Sequence, residues 1–548
     1  MNSPETTDGA LPPKRLIPLF AGLMLAMLLA SLNNTVLSSA MPTIIGELNG
    51  VEHLSWVITA FILASTVTMP VYGNLSDLFG RRPMLIAAVV VFLGGSVLGA
   101  LAQDMPMLIA ARGIQGLGGG GLMILTQAAI ADVVPARERG KYMGIMGGVF
   151  AFASVAGPLL GGWFTEGPGW RWAFWMNVPI GLLALAAAVF LLRLPKRRTE
   201  GRVDVLGMML LAVATTSIVL LATWGGQQFE WMSAESAVLA VVGIVAAVCF
   251  VVVESKAEQP VMPLALFLDR NFLLTTAAAL ATGVAMFGAL GYMPMYLQMV
   301  TGAGPTVSGL LMIPMMGVLL VTSTLSGAIV SRTGRYKMLP VVGTGIVAGA
   351  LVFISLVTVD TPMWVICAAL AVLGSGLGLS MQILTLIVQN SFPIRMVGTA
   401  TAATNYFRQV GATLGSAIVG SLFAQRLVEE FTKLAPGIGA TLSGGGHFTP
   451  GAVSALPEPM HTLVLGAINH ALVPIFVYLV PLIVIAFVAL LFVVEKPLAT
   501  AIEREIPAEA LAEGQLMITD PALDEDAVGA NFEAVPADGT RTHSRHGR

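Results

Sequence analysis

Long apolar stretches, separated by short polar segments, dominate the chain. Each has 18 or more mostly apolar residues, close to the ~20 residues that a helix needs to cross a bilayer. We therefore predict an all-α integral membrane protein with fourteen transmembrane helices. The stretches are 17–41, 55–74, 84–102, 107–131, 141–163, 172–194, 205–224, 237–254, 272–298, 306–330, 339–358, 363–388, 397–424 and 471–494.

The basic residues sort to one side of this arrangement. With both termini in the cytoplasm, 23 of the 28 Lys and Arg residues fall in cytoplasmic segments. Arg171, Arg426 and Lys433 face outside, and Arg112 and Arg408 lie within spans. Because positive charge is retained on the cytoplasmic side, we predict a multi-pass protein of the plasma (inner) membrane with both termini cytoplasmic.

Composition excludes several classes of function. The chain is 56% hydrophobic and 11% charged, whereas soluble proteins carry about 25% charged residues. Its net charge of −3 gives no basic field for nucleic acid, so we expect no nucleic-acid partner. Cys249 and Cys367 lie in apolar runs and offer neither a disulfide framework nor the spacing of metal ligands, so no metal is expected.

A short motif occurs twice. Residues 73–82 read GNLSDLFGRR and residues 327–337 read GAIVSRTGRYK, with the Gly, Gly and Arg positions matching at one offset of 254 residues. Repeated halves with a substrate site between them are typical of secondary transporters. Two independent basic turns are the simpler alternative, but the constant offset favours duplication.

Together with other motifs, the repeat resembles the major facilitator superfamily, and within it the fourteen-span drug:proton antiporters of the bacterial inner membrane. The resemblance covers residues 15–495. It rests on residues 73–82, Arg112-Gly-Ile-Gln115-Gly116, Gly157-Pro158-Leu-Leu-Gly161-Gly162, Trp170-Arg171-Trp172 continuing to Asn177-Val-Pro179, and Tyr296-Leu-Gln298.

The resemblance implies two six-helix bundles with pseudo-two-fold symmetry and an inserted helix pair. The expected divisions are a cytoplasmic N-terminus 1–16, an N-terminal bundle 17–194, the inserted pair 205–254, a C-terminal bundle 272–494 with an external loop 425–470, and a cytoplasmic, partly disordered tail 495–548.

In such transporters the loop after the second span latches the two halves in the outward-facing state. Here Gly73 and Gly80 permit a tight turn, Asp77 can lie near a helix N-terminus, and Arg81 and Arg82 are fixed at the cytoplasmic surface. The alternative is that the loop only fixes the membrane topology, and for Arg82 this alternative explains the residue as well as a latch does.

The motif in the fifth span combines a helix breaker with small residues. Pro158 removes a backbone hydrogen bond, and Gly157 and Gly161 form a face that lets another helix approach. With Gly162, these residues are interpreted as an exporter hinge or seal at the interface between bundles. The alternative is an ordinary kinked packing helix.

Charges inside spans are costly and usually mark a cavity or a partner. Arg112 lies in span four, at a depth similar to that of Asn33 and Asn34 in span one. Where the family has a pattern like Leu-Asp-x-Thr, this chain reads Leu32-Asn33-Asn34-Thr35. The usual carboxylate is therefore an amide, which puts the family's proton-coupling assignment in doubt.

The middle third of each predicted span lacks acidic residues, and Arg408 adds a second buried cation. We hypothesise a neutral-to-positive central cavity that favours neutral or anionic amphiphiles. The alternative is that both arginines bind helix carbonyls or lipid. The polar cavity candidates are Gln115, Gln127, Gln298, Gln382, Asn390 and Asn405, and a methionine cluster, which we interpret as core rather than binding wall, comprises Met293, Met295, Met299, Met312, Met315 and Met316.

We predict secondary export of hydrophobic or amphiphilic drugs by alternating access, with no cofactor and with the proton gradient as the energy source. Asp77, Asp132 and Glu166 are the proton-carrier candidates. The expected partners are hydrophobic small molecules and membrane lipids, with the protein a monomer. A dedicated exporter of an endogenous lipid, siderophore or antibiotic is the first alternative, and a membrane enzyme or channel is the remote one.

Overall fold

The computed structural model describes residues 13–48, 53–192, 203–226, 228–300, 302, 305–434 and 460–499. Within these ranges the chain is helical and forms no β-strand. The helices are α1 Pro13–Leu48, α2 Leu54–Phe79, α3 Arg81–Ala100, α4 Met105–Val133, α5 Ala136–Glu166, α6 Trp172–Trp175, α7 Asn177–Phe190, α8 Val205–Trp224, α9 Ala234–Glu254, α10 Arg270–Val300, α11 Pro305–Leu311, α12 Ile313–Thr333, α13 Met338–Ile354, α14 Met363–Ser391, α15 Val397–Leu434, α16 Met460–Leu472 and α17 Ile475–Leu491, with short 3-10 helices at Leu264–Leu268 and Ile394–Met396.

Local sequence accounts for several helix ends. Asp104 caps α4 by accepting a hydrogen bond from the Met107 amide at 2.8 Å, and Asp204 caps α8 in the same way. Gly80, between α2 and α3, and Gly334, after α12, both have positive φ values, of 94° and 72°. Glycine adopts this conformation at little steric cost, so the two copies of the repeated motif end their helices at equivalent positions.

Twelve helices of the described chain are long and apolar enough to cross a membrane, and α13 is a shorter apolar helix. All fourteen predicted stretches coincide with helical segments. Helix α15 is not among the twelve, because Thr, Asn, Gln and Arg side chains interrupt its apolar positions. A helical membrane protein is thereby established, and the count of fourteen spans stays a prediction.

For description, the helices are divided by their order in the chain into a first group, α1–α7, and a second group, α10–α17, and the two groups contact each other extensively. In the first group α1 packs against α5 and α7, and α4 packs against α2 and α3. In the second, α10 packs against α15 and α17, while α14 packs against α12 and α13. Contacts of α5 with α12 and of α2 with α15 join the groups, and α8 packs against α9, α2 and α15.

The predicted bounds of the external loop differ from those in the structure. The predicted external loop 425–470 is helical at both ends, since α15 continues to Leu434 and α16 begins at Met460. Residues 435–459 lie outside the described residues, as do 1–12 of the N-terminus and 500–548 of the tail. Charged side chains misled the prediction, because residues 426–433 include four charged residues and are still helical, with Lys433 paired to Glu430 one turn away at 2.6 Å.

Candidate functional site

One end of the helix assembly, here called the basic end, carries Arg81, Arg82, Arg137 and Arg335. At this end Asp77 joins the two helix groups. Its Oδ2 accepts hydrogen bonds from the Thr399 amide at 2.7 Å and from the Thr399 hydroxyl at 2.6 Å.

Thr399 is the third residue of α15, so the Asp77 carboxylate lies at a helix N-terminus, where backbone amides and the helix dipole favour negative charge. The side chain of Asp77 is 10% exposed and also pairs with Arg81 at 2.5 Å. Arg81 in turn binds Asp132 of α4 at 3.3 Å. The structure thus assembles an acid–base–acid cluster within the first helix group, which the hydrogen bonds from Thr399 to Asp77 connect to the second group.

The turn between α2 and α3 is shorter than the sequence predicts. Residues 73–79 belong to α2, and only Gly80 separates α2 from α3. Gly73 instead lets α2 approach α15, since a Cβ at this position would lie 3.0 Å from the Gly398 carbonyl oxygen. Arg82 is exposed and donates to the Val189 carbonyl at 2.6 Å, a contact within the first helix group.

The second copy of the motif makes an analogous contact between α12 and α5. Gly327 and Gly140 pack backbone to backbone, and the Cβ of a residue at 140 would lie 3.0 Å from the Gly327 carbonyl oxygen. Arg137 donates to the carbonyls of Ser331 at 3.3 Å and Arg332 at 3.2 Å. The basic end is therefore closed at two related places.

Sequence reasoning missed the partners of the repeated motif. Pro135-x-Arg137-x-x-Gly140 and Pro393-x-Arg395-x-x-Gly398 recur at an offset of 258 residues, close to the 254 of the first repeat. Each copy precedes or opens a helix that contacts the motif from the other half. A search for a second pair at a similar offset would have found them.

Between the two helix groups lies a central cavity of about 630 Å³, counting the space at its opening. Three predicted cavity residues line it, namely Gln127, Gln382 and Asn405, and so does Arg408. The Asn405 amide donates to Gln127 Oε1 at 3.0 Å, and Arg408 donates to Asn405 Oδ1. These side chains form a polar strip on an otherwise largely apolar wall.

Two other cavity candidates were placed wrongly. Gln298 does not line the cavity, because it lies twelve residues beyond Met286, roughly 18 Å along α10. Asn390 lies at the basic end and donates to the Lys496 carbonyl at 3.2 Å. The spacing of glutamine and asparagine in the sequence does not show which of these side chains lie at the depth of the cavity.

Methionine supplies much of the cavity wall, through residues from five different helices: Met27, Met69, Met123, Met286 and Met381. The methionines singled out by clustering in the sequence do not line it, and Met293, Met315 and Met316 are buried in the core of the second helix group. Flexible thioether side chains can repack around ligands of different shapes.

Arg112 is 2% exposed and lies in a polar network outside the cavity lining. It donates to Gln115 Oε1 at 2.6 Å, Asn34 Oδ1 at 3.0 Å and the Val57 carbonyl at 3.2 Å. Its guanidinium also lies 4.2 Å from the ring centroid of Phe61. Neutral acceptors therefore satisfy this cation, and its predicted place in the cavity was wrong.

Asn33 and Gln115 form a reciprocal amide pair beneath Arg112, with distances of 3.1 and 2.9 Å. Ser96 and Asn177 extend the network, because Gln115 donates to the Ser96 hydroxyl at 2.8 Å and Asn177 donates to Asn33 Oδ1 at 3.1 Å. Side chains from α1, α3, α4 and α7 thereby form one hydrogen-bonded network inside the first helix group, in which Asn177 Oδ1 is buried without a partner among the described residues.

The glycines of the fifth-span motif pack within one helix group instead of between groups. Gly157 accommodates Thr35 of α1, and Gly161 accommodates the backbone of α1 at Val36. Thr35 donates to the Ala153 carbonyl of α5 at 2.9 Å. The placement at the interface between bundles was wrong for these two glycines, since the face with small residues four apart turns toward α1.

The remaining residues of this motif have other surroundings. Pro158 lies inside α5, at the level of Gly309 of α11 in the second helix group. A Cβ at Gly162 would meet nothing within 4 Å. Glu166, a proton-carrier candidate, is the exposed last residue of α5 and does not line the central cavity.

The family model of the Major Facilitator Superfamily matches residues 23–416. The chain belongs to the Major Facilitator Superfamily. This membership confirms the resemblance in the sequence motifs and makes the protein a membrane transporter, not an enzyme.

Curated relatives of this superfamily member include transporters of multiple drugs. An uncharacterised MFS-type transporter of Mycobacterium tuberculosis is 39% identical over 492 residues, covering 89% of this chain and 71% of the relative. The multidrug transporter protein MdtP of Bacillus subtilis is 34% identical over 422 residues, covering 76% and 77%.

A solved structure agrees in fold. The human organic anion transporter MFSD10 superposes with a TM-score of 0.58 at 15% identity, covering 88% of this chain and 100% of that one. At this identity the likeness concerns the fold of the superfamily alone.

Proposed function

We propose that the protein is a secondary active exporter that moves hydrophobic or amphiphilic molecules out of the cell by alternating access in exchange for protons. In this proposal it has fourteen spans, in two six-helix bundles and an inserted pair, with both termini on the cytoplasmic side of the inner membrane. The basic end then faces the cytoplasm, and its closed contacts correspond to an outward-facing state. The multidrug transporters among its relatives support export.

The observation that carries the proposal is the central cavity between the helix groups. Methionine side chains provide an adaptable apolar wall, and Gln127, Gln382 and Asn405 provide hydrogen-bonding groups. Such a lining suits ligands that share an apolar body and differ in shape.

Charge in the cavity sets the preferred substrates. Among the described residues that line it, Arg408 is the one charged side chain, and its described hydrogen-bond partner is the neutral Asn405. A cation near amides attracts an anionic group and repels a cationic one. Neutral and anionic amphiphiles are therefore the proposed substrates.

The test compares export of a cationic, a neutral and an anionic dye by inverted vesicles with an imposed pH gradient. Arg408→Gln should reduce export of the anionic dye by about 10- to 100-fold, the value of one hydrogen bond to a charged group, and spare the neutral dye. Lys256→Gln, which removes an exposed positive charge, is the matched control. Equal loss of all dyes would overturn the charge preference, and export without gradient dependence would overturn proton exchange.

The described residues of the cavity lining include no carboxyl or imidazole group that could carry the coupling proton. Asp77 and Asp132 are engaged at the basic end with Arg81, and Asn33 is an amide in its network. Proton exchange is supported by the resemblance to drug:proton antiporters. The basic-end carboxylates are its best candidates, because opening that end would separate Asp77 from Thr399.

A further inference from the structure

A second space lies outside the central cavity, between α2, α8, α10 and α15. It encloses about 760 Å³, counting its opening. Ile62, on its α2 wall, lies eleven residues from Gly73, roughly 16 Å along the helix toward the end opposite the basic end. Helices α2 and α15 are thus in contact near the basic end and are separated by this space, called here the α8 groove, in the other half.

One face of α15 forms the longest wall of the α8 groove. Gln409, Thr413, Ser416 and Ala417 line it, at the three- and four-residue spacing of a single helix face. Ile418, the next residue along, is exposed on another face of the helix and does not line the groove.

The groove is uncharged but rich in hydroxyl groups. The described lining residues include no Asp, Glu, Lys or Arg, while Thr223 and Thr413 are among those that contribute hydroxyls. Thr223 donates to the Val219 carbonyl at 2.8 Å and Thr413 donates to the Gln409 carbonyl at 3.1 Å. Because their protons are used within their own helices, both oxygens offer lone pairs. The groove therefore favours an uncharged ligand that donates hydrogen bonds.

The α8 groove adjoins the central cavity. Phe287 of α10 and Gln409 of α15 line both spaces. An aromatic ring and one flexible amide thus belong to the walls of both spaces.

Helix α8 gives the groove a wall that the two main helix groups do not supply. Ala222 and Thr223 near its end line the space. Two turns earlier in α8, Thr215 forms a hydrogen bond with Tyr406 of α15 at 2.9 Å. Trp224, the last residue of α8, packs edge-on against Trp56 of α2 with ring centroids 4.5 Å apart. Both contacts hold α8 in place beside the groove.

We propose that the α8 groove is a second binding site for the transported molecule, occupied by an uncharged amphiphile with a hydrogen-bond donor after it passes Phe287. The inference rests on the proposed export function and assigns the inserted pair a part in it. The two wall residues that the groove shares with the central cavity, Phe287 and Gln409, favour a transported molecule over a resident lipid as the occupant.

The probe is a neutral BODIPY dye that carries a primary alcohol, titrated onto the purified full chain in nanodiscs. The methyl ether of the same dye lacks the donor. Two binding components are expected for the alcohol. Thr413→Val should weaken one component by about 2- to 10-fold, the range of a neutral hydrogen bond, and should remove the preference for the alcohol over the ether.

A bulky substitution tests the site by occlusion. Ala417→Phe should abolish the same component and lower export of the dye at least 10-fold, whereas Ile418→Phe adds the same ring to the exposed face and should change neither. If Ala417→Phe fails to fold, Thr413→Val still tests the proposed site, because valine keeps the shape of the threonine side chain.

The proposal would be overturned by a single binding component in the unchanged protein, or by identical behaviour of Ala417→Phe and Ile418→Phe. It would also be overturned if phosphatidylglycerol displaced the dye from the affected component, because the groove would then be a lipid site. Failure of the export function is distinguishable, because it would appear as absence of dye transport in vesicles while two components remain in the titration.

Discussion

The contact between α5 and α12 at the basic end can be tested by adding one methyl group. A Cβ at Gly144 would lie 2.5 Å from the Ser323 carbonyl oxygen and 3.0 Å from the Thr324 Cα. Ordinary contact begins near 3.4 Å, so Gly144→Ala needs the helices to separate by about 0.9 Å. Because both obstructing atoms belong to the backbone, no side-chain rotation relieves the overlap.

The overlap raises the free energy of the state in which α5 and α12 are in contact at the basic end. Overpacking of this kind costs about 1–3 kcal/mol, and every ~1.4 kcal/mol is a factor of ten in an equilibrium constant. Gly144→Ala should therefore shift the equilibrium toward a state open at the basic end by about 5- to 150-fold. Gly140→Ala is a milder change, since its Cβ would lie 3.0 Å from the Gly327 carbonyl oxygen, and Gly317→Ala is the control, with nothing within 4 Å.

The assay measures how fast an impermeant thiol reagent labels Thr401→Cys, a buried position near the basic end of α15, in inverted vesicles. Cys249 and Cys367 are first replaced by serine. We expect the labelling rate to rise in the order Gly317→Ala, Gly140→Ala, Gly144→Ala. Equal rates for Gly144→Ala and Gly317→Ala would refute the reasoning, and a lowered unfolding midpoint without faster labelling would show that the contact stabilises the fold instead of the closed state.

Three further substitutions test other parts of the structure. Asp77→Asn should raise the same labelling rate about 10-fold or more, because a neutral amide weakens charge-assisted bonds to Thr399; an unchanged rate contradicts the latch. Asn33→Asp should leave export of a cationic dye in vesicles unchanged, because Asn33 pairs with Gln115 outside the cavity lining, and a gain of cationic export would contradict this placement. A hydrogen bond from Trp170 lowers the pKa of Glu47 from its ordinary 4.5. Desolvation opposes this shift, and Arg171 adds to it. The stability it contributes is present above pH 4.5 and is lost as the pH falls through the lowered pKa, so Glu47→Gln should reduce the acid dependence of the unfolding midpoint; an unaltered dependence excludes this role.

The apolar pattern by itself determined the helical membrane class and the position of the helices. A stretch of about 20 apolar residues has one stable arrangement in lipid, because backbone groups must bond within the segment. The motif at residues 73–82 also identified Asp77 and Arg81 as residues of the basic end, and the repeat at an offset of 254 residues matches its glycines and Arg81. These features are local or periodic, so a linear reading can detect them.

Only the tertiary structure decided which faces of the helices meet. Met286 lines the central cavity while Met293, two turns farther along α10, is buried in the core. Gly157 packs against α1 and Arg112 is satisfied by neutral groups, although both residues had suggested the interface or the cavity. Rotation of each helix is fixed by partners far away in sequence, and the apolar residues that surround a membrane helix on all sides leave that rotation unspecified.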